Sequence, residues 1–197
     1  MWNKRYETAE YIFGKEPAIF MTKKARYLKP GQSALAVADG EGRNSVFMAQ
    51  KGVKVTAMDS STNAVAKAKL LAAERGVNVD FNVADILEWE WVENRFDLVA
   101  AVFIQFVGPA QRAEIFDGIK RTLKPGGILM LHGYTPEQID LGIGGPPFVE
   151  NMYRADLLAQ NFADFEIVEL NTYHREVQEG RGHSGMSALV DLIARKK

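Results

Sequence analysis

The sequence predicts an α/β fold: an open, mostly parallel sheet with helices on both faces. Three observations carry this. Strand-like and helical segments alternate along the first two thirds of the chain. Two strand-like runs, Phe96 to Phe103 and Ile128 to Leu131, are almost continuously apolar, as central parallel strands covered on both sides are. The first strand runs into a glycine turn, A-D-G-E-G-R-N at residues 38–44, which opens a helix.

Composition narrows the class. The chain has 197 residues, 47% apolar and 25% charged, with a formal charge of −1, which suits one globular domain and one site. Its 24 Lys and Arg are nearly balanced by 25 acids, so the basic field of a general nucleic-acid binder is missing. Zero cysteines exclude disulfides, thiolate metal ligands and a cysteine nucleophile. Met1 to Glu7 lacks the apolar core of a signal peptide and no apolar run approaches membrane-spanning length, so the expected location is cytoplasmic.

Taken in order, Pro17 to Leu28 reads as a helix, with proline in its first turn and Pro30-Gly31 ending it. Ser33 to Val37 is a short apolar strand, Gly42 to Lys51 helical, Val53 to Met58 a strand, and Ser61 to Arg75 a helix closed by Gly76. Val77, Val79, Phe81 and Val83 alternate with polar residues, the period-2 signature of a strand near an edge. Pro109 to Leu123 places Ile115, Phe116, Ile119 and Leu123 on one helical face and is stopped at Lys124-Pro125-Gly126-Gly127. A Gly/Pro-rich loop at Gly142 to Pro147 and a helix at Arg154 to Phe162 follow. Two strand-like runs, Phe165 to Tyr173 and Ser187 to Ala194, then suggest an antiparallel hairpin.

In such sheets the ligand sits beyond the carboxyl ends of the strands. Gly40 and Gly42 let the backbone turn sharply and expose N–H groups, although glycines also serve turn geometry alone. Asp59, at the end of the second strand, can accept from both hydroxyls of a ribose, or cap the helix after it. The residues themselves leave two ligands open, a dinucleotide and S-adenosylmethionine. Two acids, Asp39 and Glu41, flank the glycines and are poor neighbours for a pyrophosphate; they suit a ligand carrying an ammonium and a sulfonium.

The series A-D-G-E-G-R-N, M-D-S-S, V-A-D-I, F-D-L-V-A-A-V-F and L-K-P-G-G resembles the motif series of class I S-adenosylmethionine-dependent methyltransferases over about residues 33 to 134. The W-N-K-R-Y opening, the E-G-R-N turn and the late E-G-R-G-H-S-G segment are similar to the small bacterial tellurite-resistance-type methyltransferases. The resemblance implies a Rossmann-like sandwich with a seven-stranded sheet and an antiparallel C-terminal hairpin. It implies one domain over residues 1–197: an N-terminal lid or helix over 1–30, a cofactor-binding core over 33–134, and an acceptor-side loop with the C-terminal strands over 135–197.

S-adenosylmethionine is the implied cofactor. By resemblance, Ala38, Asp39 and Gly40 run beside its methionine part, Asp59 holds the ribose and Ser60 flanks the adenine. Asp85 reaches the adenine amino group while Ile86 stacks on the ring, and Ala101, Val102 and Phe103 lie under the cofactor. The usual acidic residue and first glycine of the motif fall on Ala36 and Ala38, so Asp39 or Glu41 is expected to supply the negative charge. Trp2, Tyr6, Tyr11 and Phe13 form an aromatic opening, read either as a lid over the cofactor or as a helix covering apolar surface.

On the acceptor side, Phe103-Ile104-Gln105-Phe106 lacks the Asn/Asp-Pro-Pro-aromatic signature of nucleobase and glutamine methyltransferases, which favours a small soluble acceptor. Tyr134, Gln105, His174, Arg175 and His183 are the polar candidates. His183 is read either as an exposed loop histidine or, with Tyr134, as a residue that positions or deprotonates the acceptor. His174 and Arg175 form either a solvated strand end or an anion clamp. Three histidines without ligand spacing point to no metal. The expected reaction is direct in-line methyl transfer to a thiol, chalcogen oxyanion, amine or carboxylate. The alternatives are a binding module without transferase activity and, more distantly, a nicotinamide-dependent oxidoreductase.

Overall fold

A computed structural model describes residues 2–142 and 144–197. The chain folds as two compact units, one running to Glu90 with Glu179–Gly182, the other Trp91–Gln178 with His183–Lys197.

The first unit opens with α1 (Trp2–Arg5) and α2 (Ile19–Lys23), the latter followed by a 3-10 turn at Ala25–Tyr27. The single helix expected over Pro17 to Leu28 is therefore broken. The break falls at Lys24, whose N–H closes α2 on the Phe20 carbonyl and whose carbonyl accepts the Tyr27 N–H of the tighter turn. Then come β1 (Ser33–Val37), α3 (Arg43–Gln50), β2 (Lys54–Asp59), α4 (Thr62–Glu74) and β3 (Asp80–Val83). Strands β1–β2 and β2–β3 pair in parallel, and α4 begins at Ser61, whose hydroxyl accepts from the Ala64 N–H. The strand expected from Val77 starts only at Asp80. Val77 instead closes α4, its N–H donating to the Ala72 carbonyl, and packs against Val46, Leu71 and Ala72.

The second unit contains β4 (Phe96–Val102), α5 (Pro109–Thr122), β5 (Leu123–Tyr134), α6 (Gln138–Leu141), α7 (Ala155–Asn161), β6 (Phe165–Glu179) and β7 (His183–Lys196). Strand β4 pairs with β5 in parallel, and β5 pairs with β7 antiparallel, with Tyr134 opposite Leu189 and His132 opposite Asp191. Lys124-Pro125-Gly126-Gly127, expected to be a stop, lies inside β5. The register slips there, from Phe96 opposite Leu123 to Leu98 opposite Ile128, as a bulge absorbs the proline and glycines. Both C-terminal strands are longer than the apolar runs that announced them. In β6 the segment from Tyr173 alternates, with Tyr173, Arg175 and Val177 covered and His174, Glu176 and Gln178 exposed.

The seven strands form one sheet in the order β3-β2-β1-β4-β5-β7-β6, mostly parallel, with the antiparallel pairing confined to the C-terminal side. This is the Rossmann-like sandwich expected, and β3 is an edge strand as its alternation foretold. Among the described residues, no helix is long and apolar enough to cross a membrane.

One glycine fixes how closely two helices approach. Gly42 precedes α3 with φ +88°, and a Cβ there would lie 2.7 Å from the Ala68 Cβ and 2.9 Å from its Cα on α4. Gly42→Ala therefore combines left-handed strain with a clash against backbone. We expect it to lose at least about 2 kcal/mol in urea unfolding.

Candidate active site

In the first unit the site is built around the turn between β1 and α3. Ala38 takes φ +47° where the resembled motif has a glycine, a conformation that costs an L-residue about 1–2 kcal/mol. Its N–H points to the Met58 sulfur, and the Asp39 N–H bonds the Met58 carbonyl at 3.0 Å, so the end of β2 holds the turn. Asp59 ties the two together. One carboxylate oxygen accepts the Gly40 N–H at 2.9 Å and the other the Ser61 N–H at 2.8 Å. Burial raises the Asp59 carboxyl against these two hydrogen bonds, which favour the charged form. A carboxylate has about four lone-pair directions, so two remain for further donors.

The two acids of the turn have separate partners. Asp39 reaches forward to the first turn of α3, accepting from the Ser45 N–H at 3.2 Å and from the Ser45 hydroxyl. Burial pushes its carboxyl up to about 7, opposed by those bonds. Glu41 faces the N-terminal segment. Its buried carboxylate pairs with the Lys67 ammonium at 2.8 Å and accepts the Ile12 and Phe13 N–H groups at 2.8 and 3.4 Å. Of the two acids expected to supply the cofactor's negative charge, Glu41 is thus engaged with the chain itself.

Arg43 and Asn44 do the same work. Arg43 donates to the Phe13 carbonyl and pairs at 2.7 Å with Glu179, which accepts the Ile19 N–H; Asn44 accepts the Ala18 N–H. The E-G-R-N turn therefore holds residues 12, 13 and 18 through three side chains, and Glu179, paired with Arg43, holds residue 19.

Of the aromatic opening, Tyr6 rather than Tyr11 meets the turn. A Cβ at Gly40 would stand 3.0 Å from the Tyr6 hydroxyl, which burial, then Asp59 and Glu41, hold above the usual phenol range. Tyr6 packs with Ile12, Ala64, Trp2 and Phe13. Tyr11 donates instead to the Lys67 carbonyl at 2.9 Å and packs with Val46, Leu71 and Ala72. Ser60 is exposed, Ile86 is buried, and exposed Asp85 accepts the Leu87 N–H at 3.0 Å.

In the second unit Ala101 is fully buried in β4 and Phe103 follows it with φ +57°, an unusual backbone for a bulky residue. The Phe103 ring lies 4.1 Å from that of His183, 4.7 Å from His132 and 4.8 Å from Tyr134, between centroids. His183 is buried at the start of β7, not in an exposed loop, and meets Tyr134 edge to face. Arg175 lies on the covered face of β6, its guanidinium over Tyr173, whereas His174 is on the exposed face. The period of a strand prevents the two from clamping one anion together. Both ends of the buried Gln105 amide are taken by the main chain of Tyr134, donating to its carbonyl at 2.8 Å and accepting its N–H at 2.6 Å.

One pair went unread in the sequence. His132 Nδ1 lies 2.7 Å from Asp191 Oδ1, which also accepts the Tyr173 hydroxyl at 3.0 Å. The signal was present as a lone acid in A-L-V-D-L-I-A and a lone histidine in I-L-M-L-H-G-Y.

The fold is one that solved structures of S-adenosylmethionine-dependent methyltransferases share. Residues 34–127 match the family described as Methyltransferase domain. Among individual proteins, the chain is 35% identical over 105 residues to the uncharacterized methyltransferase sll0829 of Synechocystis, covering 53% of this chain and 48% of that protein. It is 34% identical over 112 residues to phosphoethanolamine N-methyltransferase 1 of Triticum aestivum, covering 54% of this chain and 22% of the relative. The chain thus spans half or less of these relatives. TehB from Haemophilus influenzae shares the fold with a TM-score of 0.75 at 19% identity, covering 100% of this chain and 66% of that one.

Proposed function

We propose that this protein binds S-adenosylmethionine and transfers its methyl group to a small soluble nucleophile by direct displacement. The observation that carries the reading is the Asp59 carboxylate bonded to the Gly40 N–H. It joins the glycine turn and the strand-end acid into one unit, inside the segment that matches the methyltransferase domain.

The donor chemistry fits the cofactor. Asp59 keeps lone pairs for a ribose diol; Asp39, beside Ala38 and Gly40, offers a carboxylate to the ammonium; Ser60, Asp85 and Ile86 take the adenine, and Ala101 and Phe103 underlie it. Glu41 and Tyr11 act through the N-terminal segment, Glu41 by holding it in place. When bound, the cofactor supplies an activated methyl group, so the chain's task is to orient the acceptor and exclude water. Tyr134, His183 and Phe103 form one wall for the acceptor, with Arg175 on the covered face of β6. The phosphoethanolamine relatives add support for an amine among the acceptor classes, beside a thiol, chalcogen oxyanion or carboxylate. A cytoplasmic location accords with small soluble substrates.

Calorimetric titration with S-adenosylmethionine, its demethylated product and NAD tests the first step. Tight binding of the first two is expected; binding of NAD alone would overturn the reading. Cofactor binding without turnover across thiols, oxyanions, amines and carboxylates would favour a binding module, a reading to which Ala36 and Ala38 lend weight.

Asp39 makes the affinity depend on pH. An acid raised to about 7 binds its proton more tightly folded than unfolded, so its ionisation lowers the stability of the free protein as pH rises through that range. An ammonium bound beside it favours the ionised form, so binding releases the proton. Affinity should rise from pH 6 to pH 8, and Asp39→Asn should flatten that rise.

A further inference from the structure

We propose that His132, held by Asp191, is the base that takes the proton from the methyl acceptor, and that the acceptor is therefore one that still carries that proton near neutrality: a thiol, a phenol or an ammonium. The inference rests on the methyltransferase reading above and concerns the acceptor side of the same site.

Three observations support it. His132 sits at the carboxyl end of β5, opposite Val102, the last residue of β4, and its carbonyl accepts the Phe103 N–H at 2.8 Å. This is the rim where α/β sheets bind their ligands. Its ring lies in the same cluster as Phe103, and through Phe103 adjoins Tyr134 and His183, the residues proposed as the acceptor wall. The pair is also costly in its place. Residues 187–194 of β7 are all buried, and Asp191 is their one charged side chain, directly opposite His132. A buried ionisable pair is often no more stabilising than an apolar pair of the same volume. A general base of this kind requires the tautomer in which Nδ1 donates to Asp191 and Nε2 carries the lone pair, and the 2.7 Å contact is compatible with it.

The proton balance defines the acceptor. The X–H bond of the acceptor breaks, its proton passes to His132 Nε2, and the pair left on X becomes the nucleophile. Oxyanions and carboxylates are already ionised near neutrality and have no proton to give, whereas a thiol, a phenol or an ammonium must lose one before it can attack the methyl carbon. Thiols titrate near 8.5 and phenols and ammonium groups near 10, so a positioned base is what frees the pair on X near neutrality. Phe103 and Tyr173 pack against the buried cluster that contains Tyr134. The groups around His132 that titrate or carry charge are Asp191 and His183 on β7, Tyr173 and Arg175 on β6, and Tyr134 on its own strand.

The wild-type protein, free of cofactor, gives the first test. Long-range proton–nitrogen NMR of its histidine rings should show His132 in the Nδ1–H tautomer, lost in Asp191→Asn, with the Nε2 signal moving on addition of 2-mercaptoethanol or p-cresol. An Nε2–H tautomer overturns the proposal whether or not the cofactor binds. The second test uses His132→Asn, whose amide can still donate to Asp191, with His132→Gln as a further variant should it fold poorly. Cofactor affinity should be retained while kcat/KM for the accepted probe falls about 10²–10⁴-fold and the acid limb of its pH profile disappears. Turnover of thiol, phenol or amine tells which acceptor is used. Preference for benzoate or tellurite, or an unchanged pH profile in a folded variant, overturns the proposal. Failure of the wild type to bind S-adenosylmethionine would defeat the functional reading instead.

Discussion

Glu41→Ala should remove about 3–5 kcal/mol of folding stability, the cost of breaking a buried ion pair from one side. Its carboxylate is 2% exposed as a residue and serves the Lys67 ammonium and the Ile12 and Phe13 N–H groups. Alanine leaves a cation and two buried donors without their acceptor. Glu41→Gln keeps one acceptor oxygen and should cost less, about 1–3 kcal/mol. Urea unfolding measures both. The same Glu41→Gln variant should bind S-adenosylmethionine within about threefold of the parent, because the carboxylate holds the N-terminal segment rather than the ligand. A large loss of affinity without loss of stability would return Glu41 to the cofactor.

Asp59→Ala is expected to weaken S-adenosylmethionine at least about 100-fold. Hydrogen bonds to a charged group contribute about 1.5–3 kcal/mol, and each 1.4 kcal/mol is tenfold in affinity. Part of the loss comes from the turn itself, since the Gly40 and Ser61 N–H groups lose their acceptor. A ligand truncated at the ribose separates the two contributions. Methionine alone should lose only the part due to the turn, while the full cofactor and its demethylated product lose both. Equal losses for all three ligands would show that Asp59 acts on the turn and not on the ribose.

These two acids mark how far the site could be read in advance. Asp59 was legible because its place follows from topology: an acid ending the second parallel strand lies at the ligand rim in any sheet wound this way. Glu41 was not. Its position beside the glycines suggested the ligand, but its side chain turns to residues 12 and 13, a contact across nearly thirty positions of sequence. Tyr6 and Tyr11 were equivalent members of an aromatic opening until packing set one hydroxyl against Gly40 and the other on Lys67. Gln105 had the chemistry of an acceptor contact, yet its amide is occupied by the backbone of Tyr134.

Local periodicity and breaker residues were enough to specify the order and type of the main elements, the parallel centre of the sheet, β3 as an edge and the glycine turn as the likeness to methyltransferases. They act over a few residues, and sequence displays them directly. Element ends were less legible where charge or proline hid a continuing strand, as in β5 and β6. Tertiary structure alone determined the partner of each polar side chain. The strand period put Arg175 on the covered face and His174 on the other, and the antiparallel register set His132 against Asp191. Such pairings depend on which strands become neighbours after the chain has closed loops of tens of residues, and no local pattern carries that choice.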